Sequence, residues 1–206
     1  MTKIITIIAL LVSSILSAQT SYEQGMGKAL GLWKEGKSKE ASDLMERIAA
    51  AEKNNWLPNY YVAFINTTEA FNPANKNNAA VLIEKAQQAQ DAASMVSQNN
   101  PELLVMQAMI YTAMIVQDPM ANGMKYSPKV MELYTKAKLI APENPRAVYC
   151  KAEFEINSAQ WTGADVKKLC LDLESAIPLF EKFVPESPFH PKWGLERAKE
   201  ALKNCK

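Results

Sequence analysis

Apolar residues recur through most of this chain at intervals of three and four, the period of a helix with one buried face. Leu133 to Ala141 is such a stretch, stopped by Pro142 and restarted at Pro145. Lys192 to Asn204 is another, with Ala198 inside and Glu196, Lys199, Glu200 and Lys203 outside. Lys34-Glu35-Gly36 reads as a helix end and a glycine turn, with a new helix opening at Ser38. Asp118 to Gly123 has the composition of a loop, which places the next helix start near Ser127-Pro128. Gln160 to Asp165 opens a further insertion, with a short helix expected through Cys170.

The first segment breaks this pattern. Lys3 precedes an almost unbroken apolar run from Ile4 to Leu16, and Ser17-Ala18 supplies small residues after it. That order predicts a secretory leader over 1–18, cut after Ala18. Thirteen helical residues reach about 20 Å, well short of the roughly 30 Å hydrocarbon core of a bilayer. Nothing downstream is long and apolar enough to predict a membrane span after the leader is removed.

Composition narrows the class. Ala, Leu, Lys, Glu and Met abound and glycine is sparse, which favours helices. Loss of the leader takes one lysine from the 23 basic side chains and none from the 22 acidic ones, so the remaining formal charge is zero. With no cluster of Lys and Arg, nucleic acid is not an expected partner.

A repeat spacing organises the helices. Small residues fall at Ala29, Ala63, Ala108, Ala152 and Ala198, the first step being 34 residues and the later ones 45, 44 and 46. With the glycine turn at Gly36, Ala41 beyond it and the Pro142/Pro145 break, this register resembles the tetratricopeptide repeat, a 34-residue unit of two antiparallel helices. The extra residues of the longer steps fall at Phe71 to Asn78, at Asp118 to Gly123 and from Gln160 onward. The resemblance implies an all-α, right-handed α-solenoid filling 19–206. Its units would span about 22–55, 56–100, 101–144 and 145–190, with a capping helix over 191–205. Lys28 and Lys151 depart from the family pattern, which prefers a large apolar residue there.

In that family the first helix of each unit lines a concave face. Carried over, the groove positions include Met26, Leu30, Trp33, Lys34, Tyr60, Phe64, Glu102, Met109, Arg146, Tyr149, Glu153 and Asn157. Met26, Leu30, Trp33, Tyr60, Phe64, Met109, Tyr149 and Glu153 form an apolar-aromatic set suited to a protein or peptide partner. The expectation is a non-enzymatic scaffold of the periplasm or cell exterior, with self-association through the same face as one rival. Family grooves that clamp a chain-end carboxylate use Lys and Asn at these positions; here only Lys34 and Asn157 stand there, at opposite ends, so such a clamp is not expected.

Other chemistry is thin. Met106, Met109, Met114, Met120, Met124 and Met131 crowd the third unit; Met106 and Met109 have core-like spacing, while Met120 and Met124 flank Gly123. A thioether metal carrier is a second rival, although no metal or cofactor is assigned. His190, the single histidine, stands in the Pro188-to-Gly194 connection, where Phe189 and Trp193 are expected to plug the stack. No acid–base pair, phosphate loop or nucleophile motif is legible, so no catalytic residue is assigned. Of Cys150, Cys170 and Cys205, the last two are expected to pair, since both fall near the C-terminal end of the array.

Overall fold

The computed structural model describes residues 21–205, and the leader assigned to 1–18 lies outside them. Among the described residues the fold is all-α, with no strand. α1 covers 21–34. There follow α2 (Ser38–Ala51), α3 (Trp56–Phe71), a 3₁₀ turn (Pro73–Asn78), α4 (Ala79–Val96) and α5 (Pro101–Gln117). α6 (Pro119–Ile140), α7 (Pro145–Thr162), α8 (Val166–Lys182) and α9 (Leu195–Lys203) complete the chain.

Capping chemistry sets most of the starts. The Asn55 side chain accepts from the Leu57 amide at 3.0 Å, Asn100 from Glu102 at 2.9 Å, and Asn144 from Arg146 at 2.9 Å. Pro101 and Pro145 then stand at the first helical position, where a missing N–H costs nothing. Each helix from α2 onward packs on its neighbour in sequence, while α3 also packs on α5, and α5 on α7. α3, α5 and α7 therefore stand side by side and share one face. Ala29, Ala63, Ala108, Ala152 and Ala198 are all 0–1% exposed. A larger side chain at these points would hold adjoining helices apart.

Three expectations about element boundaries are corrected. The segment 118–123 is not a loop: α6 starts at Pro119 and runs through Pro128. Asp118 caps it by accepting from the Ala121 amide at 3.0 Å, and Asn122 Nδ2 donates to the Met114 carbonyl at 2.7 Å. Pro128 sits inside this helix at the cost of one backbone hydrogen bond. The helix through Cys170 is not short, because α8 runs 17 residues from the Asp165 cap. The final helix starts at Leu195 rather than near 191. Prolines 185, 188 and 191 keep residues 183–194 out of helix, and this strap crosses the face shared by α3, α5 and α7.

Gly194 joins strap to helix at φ +119°, a backbone region that only glycine enters cheaply. A Cβ there would stand 2.5 Å from the Phe180 ring. Cys170 and Cys205 are joined in a disulfide, so strap and α9 form a loop closed at its base. No helix among the described residues is long and apolar enough to cross a membrane.

Candidate functional site

The face assigned to a partner is occupied by the protein's own strap. Trp193 stacks on Phe64 with centroids 4.6 Å apart, and its indole N–H donates to the Tyr60 hydroxyl at 2.7 Å. Tyr61 donates to the Phe189 carbonyl at 2.9 Å, and the Phe189 ring meets Tyr22 edge-on at 5.6 Å. Met26, Tyr60, Phe64, Met109 and Tyr149 are all buried, while Leu30, Trp33 and Glu153 keep partial exposure. Of the sequence-predicted residues, Tyr60 and Phe64 form the floor under the strap. The expected open aromatic groove is corrected accordingly, for a simple reason: the strap carries its own aromatics and covers those of α3. Trp33 meets the Phe64 ring edge-on at 5.3 Å. Glu153 lies apart, accepting from Tyr149 Oη at 2.6 Å, with Arg197 of α9 at 3.9 Å.

Under the strap sits a buried ion pair. Arg146 is fully buried and Glu102 nearly so. Arg146 Nε donates to Glu102 Oε2 at 2.7 Å and its terminal nitrogen to Oε1 at 2.6 Å, while Asn144 Nδ2 donates to Oε1 at 2.6 Å. The guanidinium also lies 4.4 Å from the Phe183 ring centroid, facing it as a cation on a π-system. Burial alone would push the Glu102 carboxyl up; His190, Arg146 and Asn144 outweigh it and leave it below the usual range. His190 Nε2 is 3.8 Å from Oε1, beyond hydrogen-bond length, so the direct bonds from Arg146 and Asn144 are the firmer part of that effect. Burial also lowers the tendency of Arg146 to stay charged, and Glu102 more than restores it.

This cluster was only half legible. Glu102 and Arg146 both fall at the second position of their repeat units, so the register put them on one face, but nothing in the spacing pairs them across 44 residues. His190 is buried in the last connection, with Trp56 edge-on to its ring. Cys150 is buried as a free thiol, and burial pushes it well above its ordinary range. Among the described residues no group of His, Cys, Asp and Glu is arranged to hold a metal ion.

The exposed chemistry lies elsewhere, at the start of α6. Tyr111 of α5 and Tyr126 of α6 stack with centroids 5.0 Å apart and planes 29° apart. Lys125 Nζ stands 4.8 Å from the Tyr126 centroid, and Lys129 Nζ 5.6 Å and 5.8 Å from the two rings. Met120 and Met124 are each 92% exposed. The sequence pattern singles out the methionines but not the tyrosines, because 118–123 has the composition of a loop and the facing of α5 and α6 leaves no spacing in it.

No family model matches the chain, and no curated protein matches it. Among solved structures it is similar to the HusA haemophore from Porphyromonas gingivalis. The two share 22% identity, with 90% of this chain and 92% of that chain covered, at a TM-score of 0.79. That likeness shows a common all-α fold along nearly the whole of both chains.

Proposed function

We propose that this protein is a non-enzymatic, exported carrier of a tetrapyrrole such as haem, built as a right-handed solenoid of tetratricopeptide-like helix pairs. The observation that carries this reading is the fold shared end to end with a haemophore. The apolar leader over 1–18 supports export, and a carrier meets free haem outside the cytoplasm. His190 supports the non-enzymatic part, since it is buried beside a carboxylate already engaged by Arg146. The test is a titration of the 19–206 chain with haemin, read by the Soret band. A saturable shift at one equivalent is the expected outcome; a titration indistinguishable from that of serum-free buffer would refute the carrier reading.

A peptide-binding scaffold is the second reading, favoured by a separate observation. The face of α3, α5 and α7 already accommodates an extended segment, residues 183–194, through aromatic stacking and main-chain hydrogen bonds. A peptide partner would have to displace that segment.

A further inference from the structure

A cleft of about 290 Å³ lies between α7 and α9. Glu153, Ile156 and Asn157 line it from α7, and Arg197, Ala201 and Asn204 from α9. We infer that this cleft binds a small free α-amino acid with an apolar side chain, its carboxylate on Arg197 and its ammonium on Glu153. The inference goes beyond the carrier reading and is independent of it.

The lining comes from one row on each helix. On α9, Arg197, Ala201 and Asn204 follow at intervals of four and three, the spacing of a single helical face. On α7, Glu153 and Asn157 are also one turn apart, with Ile156 beside them. The charged groups across the cleft are held but not joined. Glu153 Oε1 accepts from Tyr149 Oη at 2.6 Å, which ties the carboxylate to its own helix. Its other oxygen, Oε2, stands 3.9 Å from Arg197 Nη2, beyond hydrogen-bond length. Other pairs on these helices close fully, at 2.7 Å for Lys151–Glu155 and 2.6 Å for Lys203–Glu200. Among the described residues Arg197 makes no hydrogen bond, and the side-chain amides of Asn157 and Asn204 make none either. The cleft therefore presents a forked guanidinium, two amides and one open carboxylate oxygen over an apolar floor. A lone anion would meet the Glu153 carboxylate, and a lone cation would meet Arg197, so neither sign alone suits it. A zwitterion suits both ends. In an α-amino acid the ammonium and a carboxylate oxygen are about a hydrogen bond's length apart. One molecule can thus give Oε2 and Nη2 a charge-assisted bond each across the 3.9 Å gap. Its side chain would rest on Ile156 and Ala201, both partly buried and apolar. The volume lies at the lower end of small-molecule sites, which holds the ligand to about this size.

The test is isothermal titration of the 19–206 chain with L-leucine, with L-leucine methyl ester, which lacks the carboxylate, and with N-acetyl-L-leucine, which lacks the ammonium. One saturable site for leucine is expected. Each blocked form should bind about tenfold more weakly or worse, the loss that goes with one charge-assisted bond. Arg197→Gln and Glu153→Gln should each weaken leucine binding by a similar factor. Both substitutions keep a polar side chain at a partly exposed position, so circular dichroism and melting temperature should stay near those of the parent. No saturable heat from leucine with the parent chain would overturn the inference, as would equal binding of leucine and its two blocked forms. Equal leucine affinity in the parent and both variants would overturn it as well, by placing the ligand outside this cleft. The haemin titration bears on none of these results, so the carrier reading and this site stand or fall separately.

Discussion

Glu102 and Arg146 would each be costly to bury alone, and together they are tolerated because each bonds the other directly. Two guanidinium bonds and one amide bond converge on a single carboxylate. Deleting one charge leaves the other stranded, which typically costs about 3–5 kcal/mol. Glu102→Gln is therefore expected to lower unfolding stability at pH 7 by about that much, measured by urea denaturation. The pH dependence has a definite sign. The folded carboxyl lies below its ordinary value of 4.5, so as pH drops the unfolded chain takes up the proton first. The stabilisation is fully present above that ordinary value and is lost as pH falls through the folded-state value. The gap between parent and Glu102→Gln should hold from pH 7 to about 5 and narrow below about 4.5. A gap of constant size down to pH 3 would show that the ion pair is not what the substitution removes.

At the scale of elements, helix starts were legible where capping was explicit and misjudged where two prolines competed. Asn100-Pro101 and Asn144-Pro145 each combine a side-chain cap with a proline at the first position, and the second opens its helix where the sequence pattern placed it. At α6, Pro119 and Pro128 are both plausible first residues. Asp118 decides between them by capping the Ala121 amide, a three-dimensional fact that composition does not carry. The close-packing alanines were legible because burial of a small side chain leaves a spacing in the sequence. The Tyr111–Tyr126 stack was not, because it depends on how α5 turns into α6. α9 poses a different question, since nine residues are too few to hold a helix without help. The disulfide to Cys170 closes a loop with a sequence separation of 35, and the chain-entropy relation for that length gives about 4 kcal/mol. Cys205→Ser is expected to cost up to that amount in thermal or denaturant unfolding. It should also raise amide exchange in α9 before the rest of the chain. An unchanged melting temperature would mean that the strap contacts alone secure the C-terminal end. Cys150 is no substitute partner, being buried with its thiol pushed up.

Across the whole molecule, the strap decides which face is available to anything else. It contacts α1 through Tyr22, α3 through Tyr60, Tyr61 and Phe64, and α7 through Arg146, whose side chain also reaches toward the Trp193 carbonyl at 3.5 Å. A segment tied to three helices, over a buried ion pair, behaves as part of the core rather than as a lid. That view makes Trp193→Ala a sharp test. As a core residue its truncation should cost about 3–5 kcal/mol. Its effect should also couple to Phe64→Ala by about 0.5–1.5 kcal/mol, the range for stacked aromatic pairs. A displaceable lid predicts the opposite pattern: little loss of stability, rapid amide exchange along 183–194, and new affinity for an extended aromatic peptide at the exposed α3 face. Stability falls under the first arrangement and peptide affinity rises under the second, so one substitution measured both ways separates a protein with a sealed interior from a scaffold that binds where its own chain now lies.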